Sequence, residues 1–490
     1  MTAFEFGARV PDGLPIGADW APVDTHEVVT FPYDGSEIAQ APVGDVGLAR
    51  RAIDEALFVR GQVGRLPSYV RREALQQAGR LISEQRDDFE RLLVLETGKP
   101  LVDCRVEVDR TLLTLQTAAE EVARLHGETV PLDLLPSGDG LVGFWTRRPI
   151  GVVVGIAGFN YPLLLAAHKL APALAAGCPV IIKPAPQTPL ATLWLVHLVR
   201  EALVAAGGPA AAVQLITGGV EVGVALTTER RIGAVSFTGS AAVGKRIAQD
   251  AAPTKVLLEL GSNAALVVAA DADLDAAADA VIRGGYYASG QACISVQRVI
   301  VIEAVRQEFL DRLTARIAEV VIGDPRSPAT RVSTLINSAG TDRVLAWIDE
   351  AVAGGAKIIA GGGRTSDGVI EPTVLLDVPE GLPAWNEEIF GPVVAVRSVT
   401  DLDAAFRVVN DSRYGLHVSV YTESLGAAFA AIDTIEAGGV VINEVPGFRS
   451  DVMPYGGVKD SGTGREGPRF AIEELTVTRM AVIRPSAKGR

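Results

Sequence analysis

Four short segments of this chain join residue types that could do covalent chemistry on a bound small molecule. Gly290-Gln291-Ala292-Cys293 sets a thiol beside small neighbours that permit close approach by a ligand. A thiol of reference pKa about 8.5 attacks carbonyl carbon well once deprotonated. A lone cysteine is also commonly just a small buried hydrophobe. Leu258-Glu259-Leu260-Gly261-Ser262-Asn263 places a carboxylate directly after an apolar run, at the carboxyl end of an expected strand. Open α/β sheets bind ligands there, and half-burial would raise that carboxyl and make it a general base for water, unless it is a solvated strand-end acid. In Gly158-Phe159-Asn160-Tyr161-Pro162 the Asn160 amide could donate to a developing oxyanion, or could simply form the turn. Phe237-Thr238-Gly239-Ser240-Ala241-Ala242-Val243-Gly244 reads as strand, turn and helix. Gly239 would let backbone amides approach a pyrophosphate, with Ser240 opening the helix and its N-terminus favouring the charge. Gly239 and Gly244 are five apart, so this is not the G-x-G-x-x-G pattern.

The elements that must position these groups follow from hydrophobic periodicity. Residues 46–97 read as two amphipathic helices, the second with Leu75, Ala78, Ile82, Phe89, Leu92 and Leu93 on one face and Gly98 with Pro100 as the stop. From 150 onward short apolar runs alternate with helical stretches. Strands are expected at 151–156, 180–183, 213–216, 232–237 and 255–259, with helices near 162–176, 190–206, 221–228 and 241–250 between them. A second series of strands is expected at 265–270, 298–302, 357–359, 393–399, 418–421 and 440–443. Such alternation implies an α/β fold with two parallel-sheet domains and a cleft between them. Segment 127–149 breaks the rhythm with two extended runs around Pro136-Ser137-Gly138-Asp139-Gly140, and Leu475–Arg484 is strand-like. Strands that leave the main sheets need partners, so both are candidates for an oligomerisation arm and a homodimer or homotetramer.

Bulk composition sets limits. The chain's 490 residues allow two or three domains, and 48% hydrophobic with 21% charged residues is a globular profile. A net charge of −14 repels phosphate backbones and anionic lipid, so neither nucleic acid nor membrane is an expected partner. Cys104, Cys178 and Cys293 lie far apart, which argues against a disulfide framework or a thiolate metal site and fits a reducing cytoplasm. Residues 1–19 lack a cationic start followed by an apolar run, so no secretory leader is expected. The most apolar stretch, 152–182, is interrupted by Gly158, Asn160, Pro162, His168 and Lys169, and reads as strand, helix and strand.

Taken together and in this order, the four segments resemble the aldehyde dehydrogenase superfamily. The similarity extends through Lys183-Pro184, Glu388-Ile389-Phe390-Gly391-Pro392, Asn410-Asp411-Ser412-Arg413-Tyr414-Gly415-Leu416, Pro454-Tyr455-Gly456-Gly457-Val458-Lys459 and Ser461-Gly462-Thr463-Gly464-Arg465-Glu466. The resemblance implies a cofactor-binding domain (1–126 and 150–259), a catalytic domain (260–466, its last part returning toward the first) and an oligomerisation arm (127–149 and 467–490). It implies NAD or NADP as cofactor, a small aldehyde as substrate and no metal. By the same resemblance Cys293 is the nucleophile, Glu259 the general base and Asn160 the oxyanion-binding amide. Lys183 would contact the adenosine ribose, Glu388 the nicotinamide ribose, and Phe390 would pack beside it. Lys169 matches a lysine near the catalytic amide.

Two departures bear on function. Gly261-Ser262 replaces a frequent glycine pair, small for small. Three residues after Lys183, where the family often carries a ribose-gripping glutamate, this chain has Pro186. That removes a carboxylate that would repel a 2′-phosphate, so NADP becomes acceptable. A CoA-acylating enzyme would not need Glu259, and a catalytically silent protein on the same scaffold would need none of the triad. The bend Phe448-Arg449-Ser450-Asp451-Val452-Met453-Pro454-Tyr455 resembles the branch acting on short hydroxyaldehydes and semialdehydes, such as lactaldehyde or succinic semialdehyde. Within it Arg449 offers a permanently charged fork to an anionic tail of the aldehyde.

Overall fold

The structure is a computed structural model describing residues 4–485; the ends of the expected first domain and arm, 1–3 and 486–490, lie outside the described residues. Helices α1 (Val46–Val63), α2 (Ser68–Glu84), α3 (Arg86–Thr97) and α4 (Leu101–Glu121) come first. Region 46–97 is thus three helices, not two: the chain bends at Gln85, whose φ of −113° and ψ of 22° leave the helical region. The expected apolar face persists across the bend, with Leu75, Ile82, Phe89 and Leu92 fully buried. Continuity of that face hid the break. Gly98, in the left-handed region at φ 70°, ends α3 as expected.

The α/β expectation holds. The first sheet has six strands in the order Gly462–Thr463, Lys255–Glu259, Ala234–Thr238, Val153–Ile156, Val180–Lys183 and Val213–Leu215, parallel except for the first. Its flanking helices include α5 (Pro162–Ala176), α6 (Leu190–Ala205), α7 (Val220–Thr227) and α8 (Ala241–Ala251). Continuous apolar strands such as Val180–Lys183 are buried along their whole length, as a sheet covered on both faces requires. The second sheet runs Lys357–Ala360, Thr373–Leu376, Val393–Val399, Arg298–Ile302, Ala265–Val268, His417–Tyr421 and Gly439–Ile442, parallel except for its first pair. Strand Thr373–Leu376, and the N-terminal pairs Leu14–Ile16 with Asp19–Ala21 and Thr25–Thr30 with Glu37–Val43, are additions to the expected set. Glu128–Val130, Val142–Pro149 and Thr476–Ile483 form a third, antiparallel sheet, so the two stray segments pair with each other.

Two buried glutamates fix the helices beside the site. Pro189 and Tyr161, at the N-caps of α6 and α5, supply no side-chain cap. Glu96 on α3 accepts from Leu190 N and Ala191 N of α6 instead, and Glu107 on α4 accepts from Leu163 N (2.9 Å) and Leu164 N (3.2 Å) of α5. Among the described residues no helix is long and apolar enough to cross a membrane, and no cluster of three or more His, Cys, Asp or Glu is arranged to hold a metal.

Candidate active site

Strand ends of the first sheet meet loops of the second around a cavity of about 380 Å³. Asn160 follows strand Val153–Ile156, Gly239 and Ser240 follow Ala234–Thr238, and Glu259 ends Lys255–Glu259. Cys293 arrives on the loop before strand Arg298–Ile302, and Glu388 with Phe390 on the loop before Val393–Val399. These residues and Arg449 all line the cavity; Lys169, Lys183 and Gly244 do not.

The loop that carries Cys293 has an uncommon backbone. Ala288, Ser289 and Gly290 have φ of 48°, 56° and 73°, three left-handed residues in a row. Only glycine fits at 290, because a Cβ there would lie 2.0 Å from the Gly391 carbonyl oxygen. Side chains hold the strained turn: Asp103 accepts from Ala288 N at 2.9 Å, Ser289 Oγ from Ser333 N at 2.9 Å, and Gln291 Oε1 from Ile336 N at 3.0 Å. Asn160 Nδ2 donates to the Gln291 carbonyl at 2.7 Å, which leaves its second N–H for the cavity. Its own carbonyl accepts from the buried Lys99 ammonium at 2.8 Å, and Lys99 is paired with Glu107.

Burial governs the titratable groups. It pushes the Cys293 thiol up to about 12, against hydrogen bonding to the Tyr455 hydroxyl at 3.1 Å. Burial and the neighbouring Glu466 charge hold the Glu259 carboxyl well above the ordinary range, and its Oε2 is buried with no hydrogen-bond partner among the described residues. Glu388 is raised by burial to about 7, eased by the Ser262 N–H at 3.0 Å. Gly261 makes room for it, since a Cβ there would sit 2.2 Å from Glu388 Oε2. Phe390 is left-handed at φ 52° and packs edge-on to Phe159, with ring centroids 5.7 Å apart.

Lys169 is fully buried and donates to Thr238 Oγ1 at 2.6 Å and Glu466 Oε1 at 3.2 Å. Lys183 is buried, with its ammonium lowered by desolvation and making no hydrogen bond or ion pair among the described residues. Gly239 N–H is committed to the Glu259 carbonyl at 3.1 Å. Ser240 caps α8 through Val243 N at 3.4 Å, leaving the first-turn N–H groups of Ala241 and Ala242 as the open donors. Gly244 has a packing reason: a Cβ would meet Leu260 Cδ2 at 2.3 Å.

Arg449 is not a free loop arginine. Its side chain is 5% exposed, donates to Glu466 Oε2 at 3.0 Å, and lies with its guanidinium carbon 3.7 Å from the Tyr455 ring centroid. Sequence reasoning also missed its neighbours. Arg110 forks onto Asp451 at 2.9 and 3.0 Å, and His168 Nε2 lies 3.0 Å from Asp451 Oδ1. Burial alone would raise Asp451 and Glu466; His168 and Arg110 outweigh it at Asp451, and Lys169, His168 and Arg449 at Glu466, so both stay ionised. The one available signal was His168-Lys169 in the otherwise apolar α5, two polar groups that burial obliges to find partners.

Residues 20–481 match the aldehyde dehydrogenase family. A 3-sulfolactaldehyde dehydrogenase of Priestia aryabhattai is 38% identical over 96% of this chain and 98% of its own length. The crystal structure of aldehyde dehydrogenase 21 from Physcomitrella patens, in complex with its reaction product succinate, is 35% identical, with TM-score 0.93 over 96% of this chain and 98% of that one. Glyceraldehyde-3-phosphate dehydrogenase of Methanocaldococcus jannaschii, complexed with NADP, is 32% identical, with TM-score 0.90 over 94% of this chain and all of that one. The chain therefore belongs to the aldehyde dehydrogenase family, as an NAD(P)-dependent oxidoreductase that converts a small aldehyde to its carboxylic acid.

Proposed function

We propose that Cys293 carries out this oxidation as a covalent nucleophile, in a hydrolytic rather than CoA-acylating enzyme, on small aldehydes whose far end is anionic. The observation behind it is convergence: the Cys293 thiol, the Glu259 and Glu388 carboxyls, the Asn160 amide and three arginines, Arg110, Arg343 and Arg449, border one cavity.

The residues fit a dinucleotide. Lys183 is a buried cation with no hydrogen bond or ion pair among the described residues, as expected of a group kept for ribose or phosphate. Val220 and Val224 on α7 and Val243 on α8 are exposed apolar surface of the kind a planar base covers. The first turn of α8 offers open N–H groups to a pyrophosphate, and Glu388 offers a carboxylate to ribose hydroxyls. A bound nicotinamide supplies a hydride acceptor. The protein does the rest. Cys293 Sγ, deprotonated, adds to the carbonyl carbon; the free Asn160 N–H and the Cys293 backbone N–H hold the resulting alkoxide. Collapse of this thiohemiacetal releases hydride and leaves a thioester, and Glu259 takes a proton from the water that hydrolyses it. Water activation is a task a CoA-acylating enzyme lacks.

Of the three arginines that line the cavity, Arg343 feels the Glu388 charge, and Arg110 and Arg449 are the two that would meet an anionic tail. The relatives are consistent with this: one is named for a sulfonated aldehyde, one holds a dicarboxylate product, and one is named for a phosphorylated aldehyde. Arg449→Ala should cost roughly tenfold to a hundredfold more kcat/KM on succinic semialdehyde than on propanal or lactaldehyde. Arg449 also braces Glu466, so some loss on every substrate is expected; equal losses on charged and neutral aldehydes would reduce it to that bracing role.

NADP is used at least comparably to NAD on this reading. Pro186 is exposed where a ribose-gripping carboxylate would stand, and Lys183 can pair with a 2′-phosphate. Glu221, the carboxylate whose charge Lys183 feels, is solvated at the start of α7 and repels a phosphate only weakly. Pro186→Glu should shift the kcat/KM ratio toward NAD by about tenfold or more. Wild-type selectivity for NAD beyond about a hundredfold contradicts the assignment.

The first sheet and its helices serve as the cofactor-binding part and the second sheet as the catalytic part; strand Gly462–Thr463 carries the chain back to the first. The third sheet leaves Val142, Met480, Val482 and Ile483 about half exposed, an apolar face suited to a second subunit and hence to a homodimer or homotetramer. Three free cysteines fit work in the cytoplasm.

A further inference from the structure

Tyr455 occupies a position that its place in a glycine-rich motif does not announce. Its backbone is clamped by Glu466, with N–H···O contacts of 3.1 Å and 2.6 Å in the two directions. Its ring is 3% exposed, meets His417 edge-on at 5.0 Å and clusters with Ile294, Leu416 and Cys293. The phenol therefore cannot swing away, and its hydroxyl rests 3.1 Å from Cys293 Sγ.

The direction of that bond depends on protonation. While Cys293 is a thiol, either group can donate. Once the proton has left to cavity water, the sulfur only accepts, and the Tyr455 O–H is the side-chain donor hydrogen-bonded to it. Burial and the nearby Cys293 charge hold the phenol well above its ordinary range, so Tyr455 keeps its own proton. The Arg449 guanidinium over the ring face draws electron density from it and strengthens the O–H as a donor. The part-buried thiol faces Glu259 and Glu388, whose charges disfavour its own, with the Tyr455 hydrogen bond and the Arg449 charge opposing them.

We propose that Tyr455 is a further catalytic residue, whose hydroxyl donates to the Cys293 thiolate and so sets how readily the nucleophile ionises. This rests on Cys293 being the nucleophile. Because a charge-assisted bond is roughly twice as strong as a neutral one, losing it should raise the thiol by about one unit. Thiolate would then fall about tenfold at neutral pH, while each thiolate gains about threefold in intrinsic nucleophilicity, a net loss of about threefold.

The experiment follows iodoacetamide alkylation of Cys293 in NADP-saturated enzyme across pH, with Cys293→Ala as the blank. Tyr455→Phe, which keeps the ring, should alkylate about threefold more slowly at each pH below the thiol inflection, and its pre-steady-state burst of NADPH should slow alike. NADP affinity should be unchanged. Replacement of Tyr455 by 3,5-difluorotyrosine, a more acidic phenol, should move the alkylation rate the opposite way. If Cys293→Ala is inactive but the Tyr455→Phe and wild-type profiles superimpose, Tyr455 is packing alone and the inference fails. If Cys293→Ala still oxidises aldehydes, the nucleophile assignment itself fails.

Discussion

Cys293→Ala should lose aldehyde oxidation by a factor on the order of 10⁴ or more while still binding NAD(P). On the proposed mechanism the loss is that large because Asn160, Glu259 and the cofactor residues would act on an adduct that only the thiol can form. Binding should survive because Lys183, Glu388 and the α8 N-terminus lie on other elements, and none of them contacts Cys293 Sγ through a hydrogen bond. Stability should change by only about 1 kcal/mol, since the side chain is partly exposed and small. Steady-state rates beside a fluorescence titration with NADPH check both halves. Retained activity would sink the covalent mechanism, and lost cofactor binding would mean that the strained turn at 288–290 had rearranged.

That turn marks where the sequence stops being informative. Most strands of the two parallel sheets are legible because each carries a short apolar run; Arg298–Ile302 and Val393–Val399 begin and finish where the pattern places them, whereas Thr373–Leu376 escaped it. Cys293, Glu259 and Asn160 stand out through ordered motifs, and the fold brings the three to one cavity. The left-handed run Ala288-Ser289-Gly290 is not, because two of its members are ordinary residues held there by Asp103 and Ser333, far away in sequence. Arg449 shows the same limit. Its charge is visible in the sequence, but Glu466, Asp451 and the Tyr455 face that embrace it are tertiary facts. Arg110 and Asp451 are 341 positions apart, and neither announces the other. Local pattern reports the elements and the reactive groups; the counter-charges that allow those groups to be buried come from the fold.

Those counter-charges decide how Glu259 behaves, and Glu259→Gln should separate the two halves of catalysis. Burial and the ionised Glu466 disfavour a second negative charge, so the Glu259 carboxyl titrates well above the ordinary range. Arg449, Lys169 and Arg465 oppose this without reversing it. A raised carboxyl is the stronger base when ionised, and its orphaned Oε2 is available to a water. Thioester hydrolysis in the wild type should therefore be slow at low pH, where Glu259 is protonated, and rise as pH climbs through that elevated value. In Glu259→Gln thiohemiacetal collapse still proceeds, giving one equivalent of NAD(P)H in a burst. The following turnover should then be about 10² to 10⁴ times slower than wild type, and should lack the same pH inflection. Stopped-flow absorbance gives the burst, and intact-protein mass spectrometry of the quenched reaction gives the acyl-enzyme. If Glu259→Gln yields neither burst nor trapped acyl group, Glu259 acts before the thioester, on the Cys293 thiol, and the proposed division of labour is wrong.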